Sequence, residues 1–344
     1  MTVGKRLRVG VIGVGIQGEV HVKAYKDHPS VDLVAIADIR VKRAKEVAEK
    51  YAVKGVYESY EEMLDREELD LVSVVTPDFL HRDPVISALE HGVNVIVEKP
   101  LATNVKDAED MVKTAKRMGL LLYTNFANRW NPPFVEVKRQ FENGEMGDPV
   151  HAYIRLSDTI YVPIEMIKWS SRTNVAFFLM SHTVDLVRWI FGDEISKVRA
   201  LSQSKVLNNM GVNTSDIVIA LLEFYEGATA VLESCWILPN TLPSMVEFSG
   251  EFIGTEGVAF VSTTYQGVSI STSKFHIYPS YLVAAEINNR FVGFVKESIH
   301  HVVDCIIGEK QPIISPEDGL AVVKVLCAIL ESSRSGGSVV TVGG

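Results

Sequence analysis

An α/β domain built on a parallel sheet, followed by an α+β domain with a mostly antiparallel sheet, is the architecture this sequence predicts. Up to about residue 125, short β-branched runs alternate strictly with amphipathic segments, the pattern of a parallel sheet with crossover helices. Beyond that point long runs with period-two patterning take over, separated by turn signals such as Glu226-Gly227 and Gln266-Gly267. A chain of 344 residues, 47% apolar and 22% charged, is also longer than one compact core usually holds.

Within the first part, Leu7–Ile12, Val31–Ala37, Leu69–Val75, Val93–Val97 and Leu120–Thr124 are dense in Val, Ile and Leu, as strands buried on both faces should be. Helices are expected between them at Gln17–Asp27, Val41–Tyr51, Ser59–Leu64, Arg82–His91 and Val105–Met118. After a helix at Pro133–Asn143, strands are expected at Val150–Ser157, Ser196–Ser204, Ser215–Phe224, Ala228–Trp236, Met245–Gly250, Gly257–Ser262 and Val268–Thr272. Helices at Ser181–Phe191, Ala285–Ile307 and Pro316–Ser333 would cover one face of that sheet. The domains are drawn as 1–125 and 126–344, with the C-terminal helix free to pack back on the first.

Lys plus Arg at 34 against Asp plus Glu at 43 gives a formal charge of −9, which argues against a general nucleic-acid binder. One local phosphate site remains compatible with it, because a helix N-terminus binds anions without cationic side chains. Cys235, Cys305 and Cys327 are far apart and odd in number, so they suggest neither a disulfide framework nor a metal cluster. A reducing cytoplasm is the simplest setting for them. No uncharged stretch has the roughly 18 apolar residues a membrane span needs. The apolar run after Lys5-Arg6 is interrupted by Arg8 and ends in a glycine-rich turn, so it reads as a strand and not a secretion signal.

That turn, Gly13-Val14-Gly15-Ile16-Gln17-Gly18, follows the first strand and opens the first helix. Gly13 permits the tight turn, Gly15 lets backbone amides approach a pyrophosphate, and Gly18 lets helix and strand pack closely. The second strand ends at Ala37-Asp38, so Asp38 lies where a carboxylate accepts hydrogen bonds from an adenosine ribose. Strand, turn, helix and acidic residue together point to a Rossmann dinucleotide site. Asp38 favours NAD by repelling a 2′-phosphate, while the neighbouring Ile39-Arg40 brings a guanidinium that could clamp one and so keeps NADP in view.

Further motifs follow the later strands: Thr76-Pro77-Asp78-Phe79-Leu80-His81, then Glu98-Lys99-Pro100. Together with the glycine loop, with Asn128-Arg129-Trp130-Asn131-Pro132 and with Ser181-His182-Thr183-Val184-Asp185-Leu186, they resemble the Gfo/Idh/MocA family of oxidoreductases. The resemblance implies an NAD(P)-dependent enzyme with a Rossmann domain and an open-faced sheet domain. It implies a sugar, cyclitol or similar polyol as substrate, and assembly as a homodimer or homotetramer through the second-domain sheet. It also makes Lys99–Pro100 a candidate cis peptide, and places Thr76, Pro77 and His81 beside the adenosine and nicotinamide riboses. Asn125, just past the Leu120–Thr124 strand, again faces the edge where cofactors bind.

Hydride transfer from an alcohol requires a proton acceptor. Lys99 follows a buried parallel strand and so emerges at the carboxyl edge, where desolvation would lower its pKa. His182 and Asp185 are three apart on an apparent helix and share a face, with Ser181 available as its N-cap. The resemblance makes Lys99 the group that hydrogen-bonds the reacting oxygen and His182 a residue that binds or protonates the substrate hydroxyl. It also implies an aspartate four residues before that histidine and a glycine two before it; here Phe178 and Met180 stand in those places. Either Lys99 and His182 manage alone, or Asp158, Asp185 or Glu165 compensates, or the reaction is not ordinary polyol oxidation. Phe178 would also turn that wall apolar, suiting a less hydroxylated or aromatic-bearing substrate.

Asp185, Arg129, Asp158 and Trp169 are the candidate substrate ligands, with Arg172 and Asn174 shaping the mouth and Tyr153, Tyr161 and Trp236 read as sheet residues. His300-His301 point about 100° apart on a helix, so no shared metal is expected. Two other functions compete with a dehydrogenase: a redox-neutral enzyme that holds NAD and oxidises a sugar transiently, and a sugar- or nucleotide-sensing regulator without catalysis.

Overall fold

The structure, a computed structural model, describes residues 6–343; Lys5, half of the basic pair noted above, lies outside them. By compactness the chain divides into two units, one of residues up to Ala127 together with Val283–Leu320, the other of Asn128–Leu282 together with the residues from Ala321.

The first unit holds a six-stranded sheet of β1 (Leu7–Ile12), β2 (Val31–Ala37), β3 (Gly55–Tyr57), β4 (Leu71–Val74), β5 (Asn94–Val97) and β6 (Leu122–Thr124). Its order is β3-β2-β1-β4-β5-β6 and every pairing is parallel, so the chain reverses direction across the sheet at β1 and β4. Ligands in such sheets bind at the carboxyl ends of the strands beside that reversal. Helices α1 (Ile16–Asp27), α2 (Val41–Tyr51), α3 (Tyr60–Arg66), α4 (Arg82–Glu90) and α5 (Val105–Met118) connect the strands. Ser59 caps α3 by accepting from the Glu62 N–H, and Asn104 caps α5 by accepting from the Asp107 N–H. No side chain caps α1, whose first-turn N–H groups stay open to an anion. Strand β3 was not expected: three residues are too few to carry a pattern.

The second unit begins with α6 (Pro132–Glu142) and holds a seven-stranded sheet. Its strands are β7 (Pro149–Thr159), β8 (Ile195–Gln203), β9 (Ile217–Phe224), β10 (Thr229–Leu238), β11 (Val246–Gly254), β12 (Val258–Ser262) and the short terminal strand Val340–Thr341. All pairings are antiparallel except β7 with β10. Helix α7 (Ser181–Phe191) packs on β7 and β10, and α8 (Val206–Asn209) is a single turn. Along β9, Val218, Ala220, Leu222 and Phe224 are buried while Ile219 and Leu221 are exposed, so one face of the sheet is packed and the other open.

Three expectations are corrected. The run Val268–Thr272 reduces to a two-residue strand, Ile270–Ser271, paired with His276–Ile277. Ser181 does not cap its helix: a π-helical turn, Ala176–Met180, leads directly into α7, and the Ser181 hydroxyl is buried without a hydrogen-bond partner. The expected helix Ala285–Ile307 opens instead as a hairpin, Ala285–Ile287 against Arg290–Val292, turned by Asn288 and Asn289 at φ 50° and 61°. Helix α9 (Phe294–Ile307) follows it and packs on α1, where His300 lies 2.8 Å from the Ala24 carbonyl. It therefore belongs to the first unit and does not cover the second sheet. The last helix, α10, spans Pro316–Arg334.

Candidate functional site

At the first-unit sheet edge, the glycine loop has the space a dinucleotide needs. Gly13 sits at φ +84°, and a Cβ there would lie 2.6 Å from the Val75 carbonyl oxygen. A Cβ on Gly18 would lie 2.0 Å from the Gly13 oxygen, so helix and loop close only on glycine. At Gly15 the nearest atom to such a Cβ is an Arg40 nitrogen at 3.7 Å, which leaves the backbone open from that side. Arg43, on α2, donates from Nε to the Val14 carbonyl at 2.8 Å and pairs with Glu19, fixing the loop from below. Burial alone would raise the Glu19 carboxyl, but hydrogen bonds from Lys50, Arg43 and Tyr51 hold it at about 2.

Asp38 is buried and oriented: its carboxylate accepts from the Val14 N–H at 2.9 Å and from the Arg40 N–H at 2.8 Å, and the Arg40 guanidinium lies over it at 3.2 Å. The Arg40 arm itself is exposed, so this pair lies at the surface. Ile16 and Ile39 flank this edge with 67% and 83% of their surface exposed, apolar area of the kind an adenine covers. Cradle, carboxylate and apolar flanks fit NAD, which would lie with its pyrophosphate on the Gly13–Gly18 backbone.

Deeper along the edge, the buried His81 ring spans the Pro100 and Thr76 carbonyl oxygens at 2.9 and 3.0 Å, tying the two motif loops together. Thr76 donates to the Leu80 carbonyl, with Pro77 beside it. The Lys99–Pro100 bond is cis. Lys99 is half-buried, and its backbone N–H donates to Glu98 at 3.3 Å. Glu98 also accepts from Asn125 at 2.8 Å and from Gln17 at 3.4 Å, and faces His21 at 2.9 Å. Burial would raise the Glu98 carboxyl, yet His21, Lys99 and Asn125 together hold it at about 2. His81 and Asn125, expected to touch cofactor, thus direct their side chains at protein groups.

In the second unit, His182 accepts at Nδ1 from the Asn128 amide at 3.2 Å. Asn128 in turn accepts from Asn131 at 3.2 Å, which fixes which end of its amide meets the imidazole. A proton on a neutral His182 therefore resides on Nε2. Arg129 and Asp185 make a buried two-pronged pair, Nε to Oδ2 at 3.0 Å and a terminal nitrogen to Oδ1 at 2.6 Å. These two candidate substrate ligands spend those bonds on each other, and the guanidinium also lies 5.9 Å from the Trp189 ring centre. Of the carboxylates that could replace the expected aspartate, Glu165 is exposed and paired with Lys168, whereas Asp158 is buried at the end of β7. Phe178 stands between Trp169 and Trp236, with ring centres 6.1 and 5.9 Å away, so this wall is aromatic. Among the described residues no group of His, Cys, Asp or Glu could hold a metal ion.

Arg43 and His21 escaped the sequence reading, and Asn128 entered it only within a motif, without a role of its own. Only His21 left a signal: it is four residues after Gln17 and four before Tyr25, a polar pair of steps along the buried face of α1.

A parallel-sheet unit with a glycine cradle, an oriented carboxylate after β2 and a lysine at the carboxyl edge defines an NAD-dependent oxidoreductase. Residues 7–126 match the model for the oxidoreductase family with NAD-binding Rossmann fold, and residues 138–342 match that family's C-terminal alpha/beta domain. The chain belongs to the Gfo/Idh/MocA oxidoreductase family. It is 29% identical to the scyllo-inositol 2-dehydrogenase (NAD(+)) of Bacillus subtilis, over 96% of this chain and 95% of that protein. It is 30% identical to the myo-inositol 2-dehydrogenase of Thermotoga maritima over 66% of this chain and 68% of that one. A crystal structure of scyllo-inositol dehydrogenase from Lactobacillus casei, with NAD(H) and scyllo-inositol bound, shares the fold at TM-score 0.84 and 21% identity, covering 99% and 100% of the two chains. Among the described residues, no helix is long and apolar enough to cross a membrane.

Proposed function

We propose that this enzyme oxidises a ring hydroxyl of a cyclitol or sugar, with Lys99 taking the hydroxyl proton and His182 binding that hydroxyl or its neighbour. NAD supplies the hydride acceptor when bound. The observation that carries the reading is the anchoring of Lys99: a half-buried lysine just past β5, its backbone held by a buried carboxylate. His182, with Nδ1 satisfied by Asn128, presents Nε2–H as a donor to a substrate oxygen. The Arg129–Asp185 pair holds the register between the Asn128 segment and α7, and so keeps His182 in place. Asp158 takes the part of the carboxylate missing at position 178. The rings of Trp169 and Phe178, backed by the fully buried Trp236, favour a substrate with an apolar C–H face towards them. The inositol relatives support the substrate class.

The enzyme works in the cytoplasm as a homodimer or homotetramer. Exposed Leu201, Ile219, Leu221 and Phe260 on the second sheet support assembly through that unit.

The test is NADH formation with a panel of myo-inositol, scyllo-inositol and D-glucose. Lys99→Ala lowers kcat by about a thousandfold while the NAD Kd by calorimetry stays within about threefold, in line with loss of a general base. Turnover retained by that variant overturns the role of Lys99. Tightly held NAD without net NADH from any member points instead to the redox-neutral course.

A further inference from the structure

A buried polar chain runs beneath the Lys99 segment, and its central member touches neither the cofactor edge nor substrate. Tyr25 hydroxyl lies 2.6 Å from the Ser73 hydroxyl, and Ser73 lies 2.9 Å from His21 Nδ1. His21 Nε2 lies 2.9 Å from Glu98 Oε1, which also receives the Asn125 amide at 2.8 Å. Asn125 accepts from Ser298 at 2.7 Å. His21, Tyr25 and Ser73 have no exposed surface. Burying so many polar groups is costly unless each is paired, and here each has a partner.

Glu98 is a carboxylate across the working pH range and can only accept, so His21 Nε2 carries the hydrogen between them. Tyr25 and Ser73 share a hydrogen bond, and Ser73 shares another with His21 Nδ1, so both ring nitrogens of His21 are held. Its Nε2–H, with Asn125 and Gln17, converges on Glu98 Oε1 and leaves Oε2 to hold the Lys99 backbone N–H.

We propose that His21 is a positioning residue for the reaction: by fixing the Glu98 carboxyl plane it sets the backbone, and hence the amine, of Lys99. The same carboxylate takes Gln17 from the glycine loop, so His21 also keeps the pyrophosphate cradle and the lysine in register. The inference rests on the reading of Lys99 as the proton acceptor. Misplacement of a reacting group by an ångström costs up to about a hundredfold in rate, and that sets the size of the expected effect.

Three variants separate positioning from mere support. His21→Gln carries an amide N–H to the place of Nε2 and keeps the donor to Glu98. His21→Asn keeps a polar group near Ser73 but falls short of Glu98, and His21→Leu removes both contacts. With the best-used member of the substrate panel, His21→Asn and His21→Leu lower kcat about tenfold to a hundredfold with the NAD Kd within about threefold. His21→Gln recovers kcat to within about threefold of wild type. Modification of Lys99 by an amine-reactive reagent, followed by mass spectrometry, speeds up in His21→Asn and returns in His21→Gln. If His21→Leu does not fold, the Asn and Gln variants carry the test. Unchanged kcat in His21→Asn overturns the inference, as does an equal loss in Asn and Gln that follows their melting temperatures. Turnover retained by Lys99→Ala overturns the reading of Lys99 instead, whatever the His21 variants do.

Discussion

Beneath Lys99, the Glu98 carboxylate gathers hydrogen bonds from three elements of the first unit, whereas in the second unit the hydroxyls of Ser157, Ser181 and Ser234 are buried without a partner. The cofactor side positions its groups with saturated hydrogen bonds; Thr124, whose hydroxyl is also unpartnered, is its exception. The substrate side positions His182 through one amide and one ion pair set among aromatic rings. A cofactor common to a whole family has fixed geometry, and a saturated network suits it. A pocket that must change with its substrate is served better by apolar walls and a few anchors, because volume-conserving apolar swaps cost little.

If the ion pair is the main anchor on the substrate side, breaking it should have the largest effect on stability. Arg129→Ala leaves Asp185 charged and buried, and should lower unfolding free energy by about 3–5 kcal/mol in urea titration. A loss below about 1 kcal/mol would mean water reaches the pair and the contrast is overstated.

The cofactor side should reveal itself through acid. Glu98 has its folded pKa depressed to about 2 from 4.5, so its contribution is fully present above the unfolded value and is lost as pH falls towards 2. That is about 3 kcal/mol between pH 5 and pH 2, to be read as the difference between wild type and Glu98→Gln in unfolding experiments across that range. Parallel pH curves for the two proteins would break the saturated-network description. The smallest effect belongs to Ser181→Ala, which removes an unpartnered hydroxyl and should raise stability by up to about 1 kcal/mol. A melting temperature that falls would show that Ser181 has a partner in solution.

Strand and helix positions around β1, β2, α2, α5 and α7 were legible because their apolar periodicity is strong and their ends carry punctuation, Gly119 and Gly192 among them. The glycine loop and Asp38 were legible because backbone conformation dictates residue type there. Helix α9 was misplaced for a different reason: amphipathic pattern says that a helix has a buried face but not which unit buries it. Its start was missed because Asn288-Asn289, a two-residue hairpin turn, sits inside a run that also reads as helical. The pairing of Arg129 with Asp185 was hidden because partners 56 residues apart leave no local signature, and each looked like a free ligand. The same holds for His21 with Glu98, 77 residues apart.

The return of Val283–Leu320 to the first unit bears on how the protein is made. A ribosome delivers residues in order, at about 5–20 per second, and domains generally fold as they emerge. Here the NAD-binding unit is short of its last helix until six of the seven strands of the second sheet have been synthesised. Until then Asn125 lacks Ser298 and the Ala24 carbonyl lacks His300. The nascent N-terminal unit is an unfinished body awaiting a distant segment, and a fragment cut at residue 126 should behave the same way: loosely packed, sticky along α1, and completed when a peptide spanning residues 283–320 is added in trans.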